Sequence, residues 1–210
     1  MDGSQIVLSL DRILRWIVQL VAINLLWIYY TMLGVFFGGV FPATVAALGL
    51  SRKIIMGEAD VEKKKLFKRI YKEEFVRANL MGWLLTIIAG ILYINYYAIA
   101  NSSEELLFVF PFTFYFILFF YLIVVIWVFP LLAHYQTTFF GYIRNAVIIG
   151  LTKIHYTLAS GGVIFLVVYF SLDFPGIIPF FSISVMAISC MWIAMLIFEN
   201  LDQTTSYTSK

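Results

Sequence analysis

The chain has 210 residues, of which 62% are hydrophobic and only 12% are charged, and its formal net charge at pH 7 is +2. A soluble domain carries about 25% charged residues, so this composition excludes a water-soluble fold with an ordinary surface. Apolar runs of about 20 residues recur without strict alternation, which favours membrane-spanning helices and excludes a β-barrel. The sequence therefore predicts an all-α polytopic membrane protein, one integral membrane domain over residues 1–210 that is surrounded by the lipid bilayer.

The first apolar run covers residues 16–37, and the mixed residues 1–15 before it suit a short interfacial helix. A cleaved signal peptide would have an apolar core of only about 7–15 residues, so this run is predicted to be a membrane helix. Gly38 and Gly39 then offer a turn, and Pro42 suits the first turn of a new helix, where its missing N–H costs little. Residues 40–56 would extend ~25 Å as a helix, which is short but sufficient to cross back.

Positive charge helps to decide how residues 34–57 fold. Nine of the 14 lysines and arginines lie between Arg52 and Arg77, and the positive-inside rule places such a segment in the cytoplasm. A hairpin at 34–57 brings Arg12 and Arg15 to the cytoplasmic side as well, whereas one kinked crossing leaves them outside. The hairpin obeys the rule better. Five helices with the N-terminus outside is the alternative, and a re-entrant segment is a third arrangement.

The later apolar runs complete a prediction of six transmembrane helices with both termini in the cytoplasm. The turn at residues 101–105 is acidic and has no Lys or Arg, as expected of an outside loop. A cytoplasmic connector is expected at 134–156, part of which suits another interfacial helix. The four remaining spans are predicted at residues 79–100, 106–132, about 146–172 and 177–198.

A basic amphipathic helix is predicted at about residues 60–78, before the third span. Its apolar residues recur at helical spacing, and its other face carries Lys63, Lys64, Lys65, Lys68, Arg69 and Lys72. Two interpretations remain open: a helix lying on anionic lipid, and a docking surface for a cytoplasmic partner. Nucleic-acid binding is a poor fit, because the basic run is short and its apolar face would be committed to lipid.

The sequence offers little for catalysis. Its two histidines, His134 and His155, lie 21 positions apart, and no run of ligands has the spacing of a zinc site. The pair Glu73 and Glu74 is similar to a membrane-protease motif, but Arg77 lies one residue too near, so the pair is interpreted as surface charge. We therefore expect a protein that is not an enzyme, with no catalytic or metal site and no cofactor.

Polar residues near the centres of the predicted spans are few and uncharged. Asn24 and Trp27 lie three apart, on one face of the first span, and Asn95 lies in a later span. These three residues are predicted to serve intramembrane polar packing. Because no Asp, Glu, Lys or Arg falls at the centre of a predicted span, a proton- or sodium-coupled transporter acting alone is disfavoured.

Several short motifs stand out along the chain: NLLW from Asn24, GVFPAT from Gly39, AAL from Ala46, the pairs Arg52-Lys53 and Gly57-Glu58, and the spacing of Phe67, Tyr71 and Phe75. Together they resemble the YesL-like family of bacterial integral membrane proteins. The resemblance extends over most of the chain, although the family's usual glycine before Pro-Ala-Thr is replaced here by Phe41. Members are often encoded beside components of sugar ABC transporters. The resemblance therefore implies an accessory role in carbohydrate uptake and brings no catalytic residue with it.

Two functional hypotheses follow. The first is a non-enzymatic accessory or regulatory membrane subunit of a carbohydrate ABC transporter, with transporter subunits as partners of the basic helix and of the connector at 134–156. The second is the substrate-binding membrane component of a vitamin-type ABC importer, which uses an A-x-x-x-A contact in its first helix. Ala43 and Ala47 have this spacing, but they lie in the second predicted helix, and such pairs are common in membrane helices.

Overall fold

A computed structural model describes residues 3–58, 62–101 and 109–208, and its regular structure is entirely helical. Most of the outside turn predicted at residues 101–105 lies outside the described residues. A 3₁₀ turn at Pro175–Ile177 and a π-helical turn at Ile178–Ser182 precede the last helix. The α-helices are α1 Gly3–Leu33, α2 Val40–Ile55, α3 Lys63–Glu73, α4 Phe75–Ala100, α5 Val109–His134, α6 Phe139–Thr152, α7 Ile154–Asp173 and α8 Ile183–Thr208.

Five helical segments of the described chain are long and apolar enough to cross a membrane. Most of α1 belongs to this set, together with α4, α5, α7 and a segment that includes most of α8. Their outward faces carry many exposed large apolar side chains, which in water would be unfavourable and in lipid are expected. The prediction of an all-α, multi-pass membrane protein is confirmed.

Residues 34–39 form a tight turn, so α1 and α2 make an antiparallel hairpin rather than one kinked helix. A Cβ at Gly39 would lie 2.3 Å from the carbonyl oxygen of Thr31. Only glycine, which has no side chain, therefore allows the two backbones to approach this closely. Trp27 Nε1 donates a hydrogen bond of 3.1 Å to Thr44 Oγ1 across the hairpin. A turn and a second helix are therefore present at residues 34–57, as expected, in place of one kinked helix.

The short helix α2 lies at the centre of the molecule. Nine of its 16 residues are buried, and it packs against α1, α3, α4, α5 and α8. Ala43, Ala46 and Ala47 are fully buried, and these small side chains let neighbouring helices approach closely. The core of the protein is therefore built around α2 and not around a long membrane-spanning helix.

The helix α2 is strongly inclined to α5. Near its start, the ring of Phe41 stacks on Phe129, with centroids 6.2 Å apart. Near its end, Arg52 donates a hydrogen bond to the carbonyl oxygen of Ala133. From Phe41 to Arg52 the chain rises ~16 Å along α2, yet its contacts advance only ~6 Å along α5. The helix therefore lies across the C-terminal end of α5.

The connector at 134–156 is mostly helical, and the span predicted at about 146–172 begins later, at Ile154, and ends at Asp173. The helix α6 ends at Thr152, Lys153 has non-helical angles (φ −120°, ψ 48°), and α7 begins at Ile154. Thr157 stabilises this break, because its hydroxyl donates to the carbonyl oxygen of Gly150 and accepts from Trp127 Nε1 at 2.9 Å. One apolar run in the sequence thus contains two helices.

Candidate docking surface and adjoining polar cleft

The helix α3 is attached to the bundle through its apolar side. Phe67 is fully buried, Leu66 and Tyr71 are nearly so, and the ring of Tyr30 on α1 lies 5.1 Å from that of Phe67. A Cβ at Gly49 of α2 would lie only 2.8 Å from a methyl carbon of Ile70, so the absence of a side chain there lets α3 pack closely. These contacts make α3 a docked helix of the core.

The opposite side of α3, called here the basic face, carries the six cations singled out from the sequence. Lys63 is half-buried and the other five side chains are exposed. Lys65 and Arg69 form exposed ion pairs with Glu62 and Glu73, which contribute little to stability because water screens them. The remaining four have no carboxylate partner among the described residues: Lys63, Lys64, Lys68 and Lys72. The face therefore presents concentrated, largely unneutralised positive charge.

The structure corrects two expectations about this helix. Residues 60 and 61 lie outside the described part of the chain, the helix runs from Lys63 to Glu73, and residues 75–78 belong to α4. Its apolar side was expected to rest on lipid, but Leu66, Phe67 and Tyr71 are covered by protein. An interfacial helix must insert its apolar face among lipid chains, and α3 has no such free face.

A small polar cleft of about 150 Å³ adjoins the basic face, between α2, α3 and the end of α5. Arg52 reaches into it and donates to the carbonyl oxygens of Ala133 and His134, at 3.2 and 3.4 Å. These carbonyls end α5, where a cation is favoured by the helix dipole. Arg52 Nε is buried without a hydrogen-bond partner among the described residues. The arginine thus joins α2 to α5 and keeps a donor free in the cleft.

Glu74 also lines the cleft, and its interpretation as surface charge is wrong. It lies at the break between α3 and α4, and its side chain is only 9% exposed. One carboxylate oxygen accepts a 3.3 Å hydrogen bond from Arg77, and the other is buried without a partner. Burial raises the pKa of this carboxyl, opposed by the positive charge of Arg77, while Glu73 adds a smaller upward effect on the pKa.

Asn24 and Trp27, predicted from the sequence to serve polar packing, both bond to other elements. Asn24 is fully buried; its amide nitrogen donates to the carbonyl oxygen of Ile178 at 3.0 Å. Its carbonyl oxygen accepts from the backbone N–H groups of Ile183 and Ser184, at 3.0 and 3.2 Å. Asn24 is therefore an N-terminal cap of α8 supplied by α1, and Trp27 holds the α1–α2 hairpin.

Asn95 is placed differently. It is exposed, and its side chain donates to the carbonyl oxygen of Ile91 in its own helix at 2.8 Å. It borders an apolar groove of about 720 Å³ between α4 and α5. Among the residues that the structure describes, Asn95 makes no hydrogen bond to another helix.

The described side chains offer few groups for metal or small-molecule binding. In the described part of the chain, no three side chains of His, Cys, Asp or Glu lie close enough to hold a metal ion. The cleft beside α3 is smaller than the ~300–1,000 Å³ of typical small-molecule sites. What the basic face and the cleft offer together is a rigid, positively charged surface that can bind an acidic partner.

Sequence reasoning identified the basic face but missed the cleft. The cations of α3 stand out by spacing alone, whereas Arg52 and Glu74 line the same cleft only because α2, the end of α3 and the end of α5 pack together. The one available signal was the position of Arg52 in the last turn of an otherwise apolar helix. Such a position predicts contact with a membrane interface as readily as contact with another helix end.

A family model described as "Protein of unknown function, DUF624" matches residues 20–96. The chain is 33% identical to the uncharacterized protein YteU of Bacillus subtilis over 93% of this chain and 89% of the relative. It is 30% identical to YesV of the same organism, over 89% of each chain. YesL is 25% identical over 93% of this chain and 92% of the relative, which confirms the YesL-like resemblance. No solved structure matches the chain.

Proposed function

The chain belongs to the DUF624 family, and we propose that it is a non-enzymatic accessory or regulatory membrane subunit of a carbohydrate ABC transporter. The observation that carries the proposal is the way in which α3 packs on the rest of the protein. Its apolar side is buried in the core, and its basic face projects outward from the protein. A surface held in this way suits the docking of an acidic partner.

The mechanism proposed is attachment. The chain anchors in the bilayer through its long apolar helices and presents the basic face to a cytoplasmic domain of the transporter. Complementary charge speeds encounter and selects the partner. Because α3 packs tightly on α1 and α2, little conformational freedom is lost when the partner binds, which favours affinity. The link to carbohydrate transport comes from the family resemblance, and the names of the relatives assign no activity.

We further propose that both termini are cytoplasmic and that the α1–α2 hairpin is re-entrant. Two contacts support this arrangement. Arg12 and Arg15 line a pocket with Lys63, so this part of α1 lies beside the start of α3. Asn79 donates a 2.9 Å hydrogen bond to the carbonyl oxygen of Gly38, so the hairpin turn lies only about one helical turn into α4. In this arrangement α4, α5, α7 and α8 cross the bilayer completely.

The burial of α2 weakens the second hypothesis, a vitamin-type importer component. Ala43 and Ala47 are both fully buried within this chain. They serve contacts between its own helices and are not presented to a partner. Their spacing, which was the feature that suggested this hypothesis, therefore no longer supports it.

The test of the proposed function is co-purification. The full chain, carrying an affinity tag, is isolated in mild detergent from its own host during growth on a carbohydrate substrate, and its partners are identified by mass spectrometry. We expect permease or ATPase subunits of a sugar ABC transporter to be enriched, and deletion of the gene to lower uptake of that sugar. Isolation without transporter subunits, together with unchanged uptake after deletion, would contradict the proposal.

A further inference from the structure

A second basic feature lies between α1, α2 and α3, and it shares Lys63 with the basic face. It is a pocket of about 240 Å³, called here the α1–α3 pocket. Four cations line it against one carboxylate, that of Glu58. The residues that the argument uses are Arg12, Arg15, Trp16, Gln19, Lys53 and Lys63.

The positive charge of this pocket is only partly neutralised. Lys53 pairs with Glu58 at 2.6 Å, and Arg15 pairs with Asp11 at 2.5 Å, one turn earlier on α1. Arg12 and Lys63 have no carboxylate partner among the described residues. Two free cations on facing elements are the arrangement expected for holding an anion, because guanidinium and ammonium groups donate several hydrogen bonds to phosphate oxygens.

One lining group indicates more than a bare anion. The side-chain oxygen of Gln19 is buried and has no hydrogen-bond partner in the described structure. An amide oxygen only accepts hydrogen bonds, so a phosphate oxygen cannot satisfy it, whereas a hydroxyl group can. A ligand that carries both a phosphodiester and a hydroxyl would complete the pocket.

The surroundings of the pocket indicate a lipid source for this ligand. Most of the remaining wall is apolar, including Leu50, Ile54 and the indole of Trp16. Trp16 is 43% exposed, a common arrangement for tryptophan at the level of lipid headgroups. On the same helix, Ile13 and Ile17 are 55% and 40% exposed, and they offer an apolar path for acyl chains.

We propose that the α1–α3 pocket binds the headgroup of an anionic phospholipid that carries a free hydroxyl, as phosphatidylglycerol does. Arg12 and Lys63 hold the phosphodiester, with Arg15 and Lys53 adding positive charge. Gln19 accepts a hydrogen bond from the headgroup hydroxyl. Basic pockets between membrane helices are suited to such headgroups. The bound lipid would hold the part of α1 that carries Arg12 against the start of α3.

The test uses the full chain in detergent, titrated with dioctanoyl phosphatidylglycerol and monitored by the concentration-dependent rise in its unfolding temperature. We expect the apparent Kd for this lipid to be lower than for dioctanoyl phosphatidylcholine or for inorganic phosphate. The double variant Arg12→Gln/Lys63→Gln should bind phosphatidylglycerol about 10- to 30-fold more weakly. This factor is expected because the two removed cations contribute about equally to the affinity for an anionic lipid. The exposed pair Lys68→Gln/Lys72→Gln removes the same charge outside the pocket and should change the Kd less than about threefold.

Two further variants separate specific recognition from general attraction. Arg12→Lys/Lys63→Arg keeps the charge and should retain binding, which shows that the loss in the glutamine variant is not a folding defect. Gln19→Leu should bind dioctanoyl phosphatidic acid, whose headgroup lacks the glycerol, with the same affinity as the unchanged protein. It should lose the preference of the unchanged protein for phosphatidylglycerol over phosphatidic acid.

Three results would overturn the proposal. Equal weakening by the pocket pair and the exposed pair would mean that only net charge attracts the lipid. Equal affinity for phosphatidylcholine would mean that the headgroup is not recognised. Binding of inorganic phosphate as tightly as phosphatidylglycerol would mean that the pocket serves a free anion.

Discussion

Asn24 is a single side chain that joins the first helix to the last. Three hydrogen bonds connect it to the backbone around residues 178–184. Replacement by leucine would leave a carbonyl and two N–H groups unpaired in a buried region. In membrane proteins each interhelical hydrogen bond contributes modestly, and leaving such groups unpaired costs more.

We therefore expect Asn24→Leu to destabilise the protein by about 2 kcal/mol, visible as a lower unfolding temperature in detergent. Asn95→Leu is the matched control. It removes the same amide from an exposed position where the only hydrogen bond given for the side chain is to its own helix, so its unfolding temperature should stay close to that of the unchanged protein. Similar losses in both variants would contradict the capping role of Asn24.

Glu74 provides a pH-dependent test at the residue scale. Its carboxyl is buried and its pKa is raised above the ordinary value of 4.5. Folding therefore favours the protonated acid. The stabilising contribution of the acid is complete below pH 4.5 and is lost as the pH rises through the folded-state pKa.

Glu74→Gln removes the buried charge, so it should raise the unfolding temperature at pH 8 relative to the unchanged protein. The difference should shrink as the pH is lowered through the pKa of the folded state. Glu73→Gln, which removes the same charge from the exposed neighbour, should have little effect. A stability difference for Glu74→Gln that does not change between pH 8 and pH 4 would rule out this account of Glu74.

At the scale of elements, α3 depends on its buried aromatic contacts. Phe67→Ala removes a fully buried ring that stacks on Tyr30, and such truncations cost about 3–5 kcal/mol in a packed core. The loss should release α3 from α1 and α2 and let it unfold locally, so that its already exposed lysines can enter the active site of trypsin in an extended conformation. We expect faster cleavage between residues 63 and 72, measured by mass spectrometry of the fragments. Phe140→Ala, at a site 80% exposed, should leave the cleavage rate unchanged, and an equal rate in both variants would mean that α3 is not held by its buried face.

The local elements could be predicted where one periodicity or one turn signal decided them. The spacing of Leu66, Phe67 and Tyr71 predicted the amphipathic α3, and the glycines at 38 and 39 predicted the α1–α2 turn. The break at Lys153 could not be predicted, because no Gly or Pro adjoins it to mark the end of a helix. It depends on the hydroxyl of Thr157, which contacts α6 and Trp127 of α5. The burial of Glu74 likewise depends on packing between elements distant in the sequence.

At the scale of the whole molecule, the inclination of α2 supports the proposed topology. Hydropathy and length predicted a membrane crossing for residues 40–56, because neither criterion takes account of the helices that surround a segment. In the structure, α2 is surrounded by other helices and its N-terminal turn lies beside the start of α4. The central place of α2 therefore follows from tertiary contacts that a single sequence does not display.

The proposed re-entrant arrangement of α1 and α2 makes a prediction about labelling. In a Cys190→Ser background, Phe37→Cys places a thiol at a turn residue that is 74% exposed. We expect no reaction with a membrane-impermeant maleimide added to intact cells. Asp173→Cys, at the C-terminal end of α7, should react from outside. Lys72→Cys should react only after the cells are opened. Labelling of Phe37→Cys from outside would instead establish a hairpin that crosses the bilayer.

The central claim is that the basic face of α3 docks a transporter subunit in the cytoplasm. The most direct measurement is the amount of transporter subunit that co-purifies with charge variants of two exposed lysines, Lys68 and Lys72. Lys68→Glu/Lys72→Glu should reduce recovery by about tenfold or more, since reversal turns attraction into repulsion. Lys68→Arg/Lys72→Arg should retain it. Unchanged recovery with the glutamate pair, in protein that folds normally, would contradict the claim.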